Sequence, residues 1–134
     1  MRKDAREVVY KILYAQNFTS EFDNELFADL QQEFKLNETD KAFAKKLLDT
    51  IIKNYAELTE VISSLSLNYM LDRVYLTDKC ALLIGLCEMT HFDDVPNIVA
   101  IDEALALCKK YSTEKSLSFV NGIFAKYKSM IEKA

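Results

Sequence analysis

Apolar residues recur at three- and four-residue spacing along most of the chain, the period of amphipathic helices. Residues 4–18 form the first predicted helix, with Ala5, Val8, Val9, Ile12 and Leu13 as its apolar stripe. Beside that stripe Arg2, Arg6, Tyr10 and Tyr14 follow one another at intervals of four, with Lys3 flanking. Two readings stay open for this second line. Basic groups neutralise phosphates and tyrosine rings stack on unpaired bases, or the tyrosines are half-buried core with their hydroxyls in water. Asp23 or Asn24 opens a second helix bearing Leu26, Phe27, Leu30 and Phe34. Asn37 caps a third, where Phe43, Leu47, Leu48, Ile51, Ile52 and Tyr55 give the cleanest pattern in the chain. A fourth carries Leu58, Val61, Ile62 and Leu65 and ends at the Ser66-Leu67-Asn68 linker.

The second half repeats the theme with a more buried centre. From Leu76 to about Phe92 the pattern is apolar nearly all round, which predicts a helix enclosed by others, with Gly85 permitting close packing. Pro96 stands in a short apolar linker, and Asp102 to Tyr111 reads as a helix with Ala104, Leu105 and Cys108 at helical spacing. Lys109 and Lys110 suit the negative end of its dipole. Ser112 or Thr113 caps a last helix carrying Phe119, Val120, Ile123, Phe124 and Tyr127, interrupted by Asn121-Gly122. Glycine inside a helix costs about 1 kcal/mol relative to alanine, so Gly122 implies close approach of another helix or of a ligand backbone. The expected fold is all-α, about seven helices in two small bundles, a single domain over 1–134 with subdomains of about 1–67 and 68–134.

Composition agrees with this architecture. A chain of 134 residues that is 50% hydrophobic buries roughly two-thirds of its unfolded surface as one domain. Two glycines and one proline are too few for the turns of an all-β protein or for a nucleotide-cradling loop. Cys80 and Cys87 stand about 10 Å apart along one helix, too far for a disulfide, and three thiols suit a reducing cytoplasm. The N-terminus lacks the apolar run of a signal peptide, and the block from Cys80 to Cys87 is far short of the roughly 20 residues that span a bilayer. A soluble intracellular protein is expected, with no membrane contact.

Charge divides the chain. Residues 1–16 carry four basic and two acidic groups, and residues 107–134 carry six and two. Between positions 17 and 94 the balance reverses to seven basic and fifteen acidic. A polyanion docks only where the two ends meet, and the acidic middle attracts a basic partner. Chance patterning of solvated helix faces is the alternative. No nucleophile, base or phosphate loop is assembled by the sequence, so neither catalysis nor a cofactor is expected. Cys87 and His91 have a metal-ligand spacing, but nothing else supplies the remaining ligands.

A resemblance spans nearly the whole chain. Asp94-Val95-Pro96, Val99-Ala100-Ile101-Asp102-Glu103-Ala104, Lys110-Tyr111, Ser116 and Phe119-Val120-Asn121-Gly122 resemble the C-terminal signature of the NusB transcription antitermination family. Tyr69-Met70-Leu71-Asp72-Arg73-Val74, Asp78-Lys79 and Glu88 are similar to its middle elements, with Tyr69 for the usual tryptophan, Lys79 for arginine and Cys87 for tyrosine. Ala5-Arg6-Glu7, Leu13-Tyr14 and Gln16 are similar to its first helix. The resemblance implies binding of boxA, a single-stranded element of ribosomal transcripts, together with the ribosomal protein NusE in the antitermination complex on RNA polymerase. It puts Arg2, Lys3, Arg6, Tyr14, Tyr69, Lys115 and Phe119 on the RNA, and Asp72 and Asp78 on the protein partner. The family's start is often longer and richer in arginine, whereas here Asp4 interrupts Arg2, Lys3 and Arg6. Two alternatives carry different expectations. One is the NusB-like accessory domain of ribosomal RNA cytosine methyltransferases, which needs a Rossmann-like domain beyond Ala134. The other is a helical homodimer in which Phe119 and Tyr14 bury one another.

Overall fold

The computed structural model describes residues 2–16, 22–66 and 74–133. Seven helices make up these residues: α1 (Arg2–Gln16), α2 (Asn24–Glu33), α3 (Glu38–Lys53), α4 (Tyr55–Leu65), α5 (Leu76–His91), α6 (Asn97–Tyr111) and α7 (Glu114–Glu132). Among the described residues there is no strand, and no helix is long and apolar enough to cross a membrane.

Side-chain oxygens fix three of the starts. Asp23 accepts from the backbone N–H of Glu25 and Leu26, Asn37 from that of Asp40, and Thr113 from that of Ser116. Such a cap contributes about 1 kcal/mol by satisfying an otherwise orphaned donor. Three boundaries differ from the sequence expectation, the first being that α1 begins at Arg2 rather than at residue 4. Tyr55 belongs to α4, because Asn54 ends α3. α6 begins at Asn97, five residues before the expected Asp102, directly after Pro96. The proline carbonyl receives the N–H groups of Val99 and Ala100, and proline's missing N–H is no loss at a helix start. Ile98 and Val99 are exposed, so the first turn has no buried stripe by which to announce itself.

α5 is the axis of the molecule and packs against α1, α3, α4, α6 and α7. Every residue from Cys80 to Met89 is buried, and Cys80, Cys87 and Cys108 are free thiols in the core. α1–α4 and α5–α7 thus share one hydrophobic cluster, in which Ile12, Leu13, Leu47, Ile62, Leu82 and Phe124 are fully enclosed. Each such side chain contributes about 1.5–3 kcal/mol of transfer free energy.

The two glycines differ in kind. A Cβ on Gly85 would lie 2.4 Å from Cζ of Phe124 and 3.0 Å from Cβ of Ala104, so the missing side chain is what lets α6 and α7 close onto α5. A Cβ on Gly122 would meet none of the described residues within 4 Å. Among the described residues, no other helix makes the close approach expected there.

Candidate nucleic-acid interface

The oppositely placed ends of the chain come together where the first half of α1 lies along the C-terminal end of α6. Glu7 of α1 is buried and accepts a 2.6 Å hydrogen bond from Nζ of Lys110 and a second, short one from the Tyr111 hydroxyl. Burial pushes the Glu7 carboxyl up, but the bonds from Lys110 and Tyr111 outweigh it and hold the group below its usual range. Burial and the neighbouring Glu7 together push the Tyr111 hydroxyl up to about 12. The Tyr111 ring stacks on Tyr10 with centroids 5.0 Å apart, and the Tyr10 hydroxyl donates to the carbonyl of Thr77 on α5. One chain of contacts thereby fixes α1, α5 and α6.

Three recesses surround this junction. The first, about 300 Å³, is bordered by Lys3, Arg6, Glu7, Glu103, Lys109 and Lys110 between α1 and α6. The second, about 440 Å³, has an aromatic wall of Tyr10, Tyr14 and Tyr111 facing Leu26 and Leu30 of α2. Tyr14 is 49% exposed at its rim, and the Lys11 ammonium lies 5.7 Å from the Tyr111 ring centroid. The third, about 400 Å³, runs between α6 and α7, bordered by Leu105 of α6 and by Glu114, Leu117, Ser118 and Asn121 of α7, and it shares Ala106 and Lys109 with the first. Cations and ring faces along adjoining grooves suit a single-stranded polyanion: lysines neutralise phosphates and rings stack on bases.

Individual residues depart from their expected places. Arg6 is buried, with its guanidinium on the equally buried Glu88, and does not reach a phosphate at the surface. Asp78 is 2% exposed and accepts 2.9 Å from the Ser112 hydroxyl, so it is not a partner-facing acid: α5 starts beneath the α6–α7 connection and covers it. Tyr10 is core, with its hydroxyl on a carbonyl rather than in water. Arg2 is exposed but paired with Asp94 at 2.8 Å, and its guanidinium lies over the Phe43 ring. Lys3, Tyr14 and Lys115 are exposed, and Phe119 is half-buried against the core. Tyr69 and Asp72 lie outside the described residues. Cys87 is in the core, its thiol pushed up to about 12 by burial, and His91 engages Glu57 at 3.0 Å. The geometry adds Lys109, Lys110 and Tyr111 to the interface, and Glu7 as its support. The adjacent lysines in a basic C-terminal segment were the available signal; Glu7 stood in the sequence only within the Ala5-Arg6-Glu7 element of the resemblance, with no role attached.

The NusB family model matches residues 3–129. The chain belongs to the NusB family. It is similar to the transcription antitermination protein NusB of Acetivibrio thermocellus, 34% identical over 125 residues that cover 93% of this chain and 86% of that protein. Among solved structures, T. maritima NusB superposes with a TM-score of 0.85 at 28% identity, covering 94% of this chain and 89% of that one. A crystal structure of antitermination factors NusB and NusE in complex with dsRNA gives 0.83 at 29% identity, covering 96% of each chain. Family membership accounts for the all-helical fold and agrees with the resemblance carried by the C-terminal signature.

Proposed function

We propose that this chain is a transcription antitermination factor that binds boxA-type single-stranded RNA of ribosomal transcripts together with the ribosomal protein NusE. It acts in the cytoplasm, within the antitermination complex on RNA polymerase. The observation that carries the reading is the likeness, across nearly the whole chain, to a NusB solved with NusE and RNA. The grooves at the junction of α1, α6 and α7 give that reading a chemistry. Lys3, Lys109 and Lys110, the last shared with Glu7, neutralise phosphates within the grooves, the exposed Lys115 adds a cation outside them, and Tyr14 and Phe119 supply ring faces. Arg2 adds a cation whose charge is partly compensated by Asp94. Binding of this kind needs positioned charges and rings and no nucleophile, so the proposed role is not enzymatic. The exposed acids of α2 to α4, among them Glu25, Asp29, Glu33, Glu57 and Glu60, disfavour RNA and suit a basic protein partner.

Replacing Lys3, Lys109 and Lys115 together by alanine tests the site. Each single-strand phosphate that is no longer neutralised flattens the log–log salt dependence by about 0.7. The reading expects weaker binding to every RNA sequence and a visibly shallower slope. An unchanged slope would place the RNA elsewhere.

A further inference from the structure

Three carboxylates hold cations of α1 and α6, and they differ in how firmly. Asp94 meets Arg2 at 2.8 Å with both side chains exposed, and water parts such a pair readily. Glu88 meets Arg6 in the core, with Glu103 as a more distant second carboxylate. Glu7 and Lys110 fall between these cases, 2.6 Å apart, with the carboxylate side chain 6% exposed and the lysine 59%. Among the described residues, Lys3 and Lys109, which border the same recess, stand in no ion pair.

The buried half of the Glu7–Lys110 pair decides what the exposed half offers a ligand. Oε2 of Glu7 accepts from both the Lys110 ammonium and the Tyr111 hydroxyl. A phosphate that drew Lys110 away would leave a buried carboxylate with only a hydroxyl bonded to it, and an unpaired charge is strongly unfavourable there. A phosphate that shared the ammonium would face that carboxylate across it, and the two anions repel. Lys110 therefore gives RNA only part of its charge, whereas Lys3 and Lys109 give all of theirs.

We infer that Glu7 restrains RNA binding: its carboxylate competes with RNA phosphates for Lys110 and sets the affinity below what the lysines of the recess would otherwise give. The contact that joins Lys110 to Tyr111 and steadies the groove wall thus also withholds a cation from the ligand. The inference rests on the RNA-binding reading and names the residue that limits its strength.

Glu7→Gln in the full chain tests this, because the amide oxygen still accepts the Tyr111 hydroxyl while the negative charge is gone. A boxA-type RNA is titrated across a salt series with the ribosomal protein saturating, and melting temperatures are read on the same samples. The expected result is RNA binding about threefold tighter, the scale of a surface ion pair, with a log–log salt dependence steeper by up to about 0.7 as Lys110 takes a phosphate. Binding no tighter than the parent's overturns the inference, and weaker binding at an unchanged melting temperature makes Glu7 a residue that positions Lys110 for RNA. A second measurement uses the parent chain and stands whatever Glu7→Gln does to folding. On addition of RNA, the side-chain ammonium NMR signals of Lys3 and Lys109 should shift by more than that of Lys110. A shift at Lys110 as large as theirs also overturns the inference while leaving the RNA reading intact. A parent chain that binds no RNA with the partner present removes the reading of function, and this restraint with it.

Discussion

Arg6 and Glu88 form a closed ion pair in the middle of the protein. Nε of Arg6 donates to Oε2 at 2.8 Å and Nη2 to Oε1 at 2.7 Å, joining α1 to α5 across 82 residues of sequence. Glu103 stands 3.9 Å from Nη1 as a second carboxylate. Burial pushes the Glu88 carboxyl up, opposed by the hydrogen bonds and charge of Arg6. Removing Arg6 strands Glu88 in the core, and removing Glu88 leaves Arg6 only the more distant Glu103, so breaking the buried pair costs about 3–5 kcal/mol. Arg6→Ala or Glu88→Ala should therefore shift the urea midpoint strongly, whereas Arg6→Met combined with Glu88→Leu should restore much of the loss.

Glu7 predicts a pH dependence. Its folded pKa lies below the unfolded value of about 4.3, because Lys110 and Tyr111 outweigh burial. A depressed carboxylate contributes stability that is complete above the unfolded pKa and is lost as pH falls through the folded one. Urea midpoints measured from neutral pH down to pH 3 should decline along an acid limb. Glu7→Gln should make that limb shallower, because the substituted group no longer titrates. An acid limb of unchanged steepness would mean that the Glu7 contacts contribute nothing.

Gly85 is a packing glycine. Its alanine variant would drive a methyl group into Phe124, which is fully buried and has no room to retreat. Over-packing of this kind costs about 1–3 kcal/mol. Thermal melts of Gly85→Ala should show a lower midpoint.

Phe119 has two roles to lose. It packs against the core with one side and borders the proposed RNA face with the other. A fully buried phenylalanine costs about 3–5 kcal/mol when truncated, and roughly half of that is expected here. Loss of a base stack should cost a further 1–3 kcal/mol or so of RNA affinity. Melts and RNA titrations of Phe119→Ala on the same sample separate the two, and an unaltered affinity would make this residue structural only.

How much of this was legible before the structure depended on whether the information was local. α5 announced itself because it is apolar all round, and Asn37 and Thr113 announced their helices because caps act within three residues of sequence. The first turn of α6 did not, since Ile98 and Val99 face outward and break the period. The fates of Arg6 and Asp78 were illegible for a different reason: a charge does not reveal a carboxylate 82 residues away or a hydroxyl 34 residues away. The line Arg2, Arg6, Tyr10, Tyr14 is one face in sequence but two environments in space, because other helices cover the middle of α1 and leave its ends open.

The central claim is joint recognition: RNA and a basic ribosomal protein bind this chain together, the RNA across the α1–α6–α7 grooves and the protein through the acidic middle. Linkage requires that RNA tighten protein binding by the same factor as the protein tightens RNA binding. Titration of a boxA-type RNA against the chain, with and without saturating NusE, measures that factor directly. The account predicts at least a tenfold gain in RNA affinity, about 1.4 kcal/mol of coupling, with an equal gain in NusE affinity when RNA is present. Equal RNA affinity in the two titrations would contradict it.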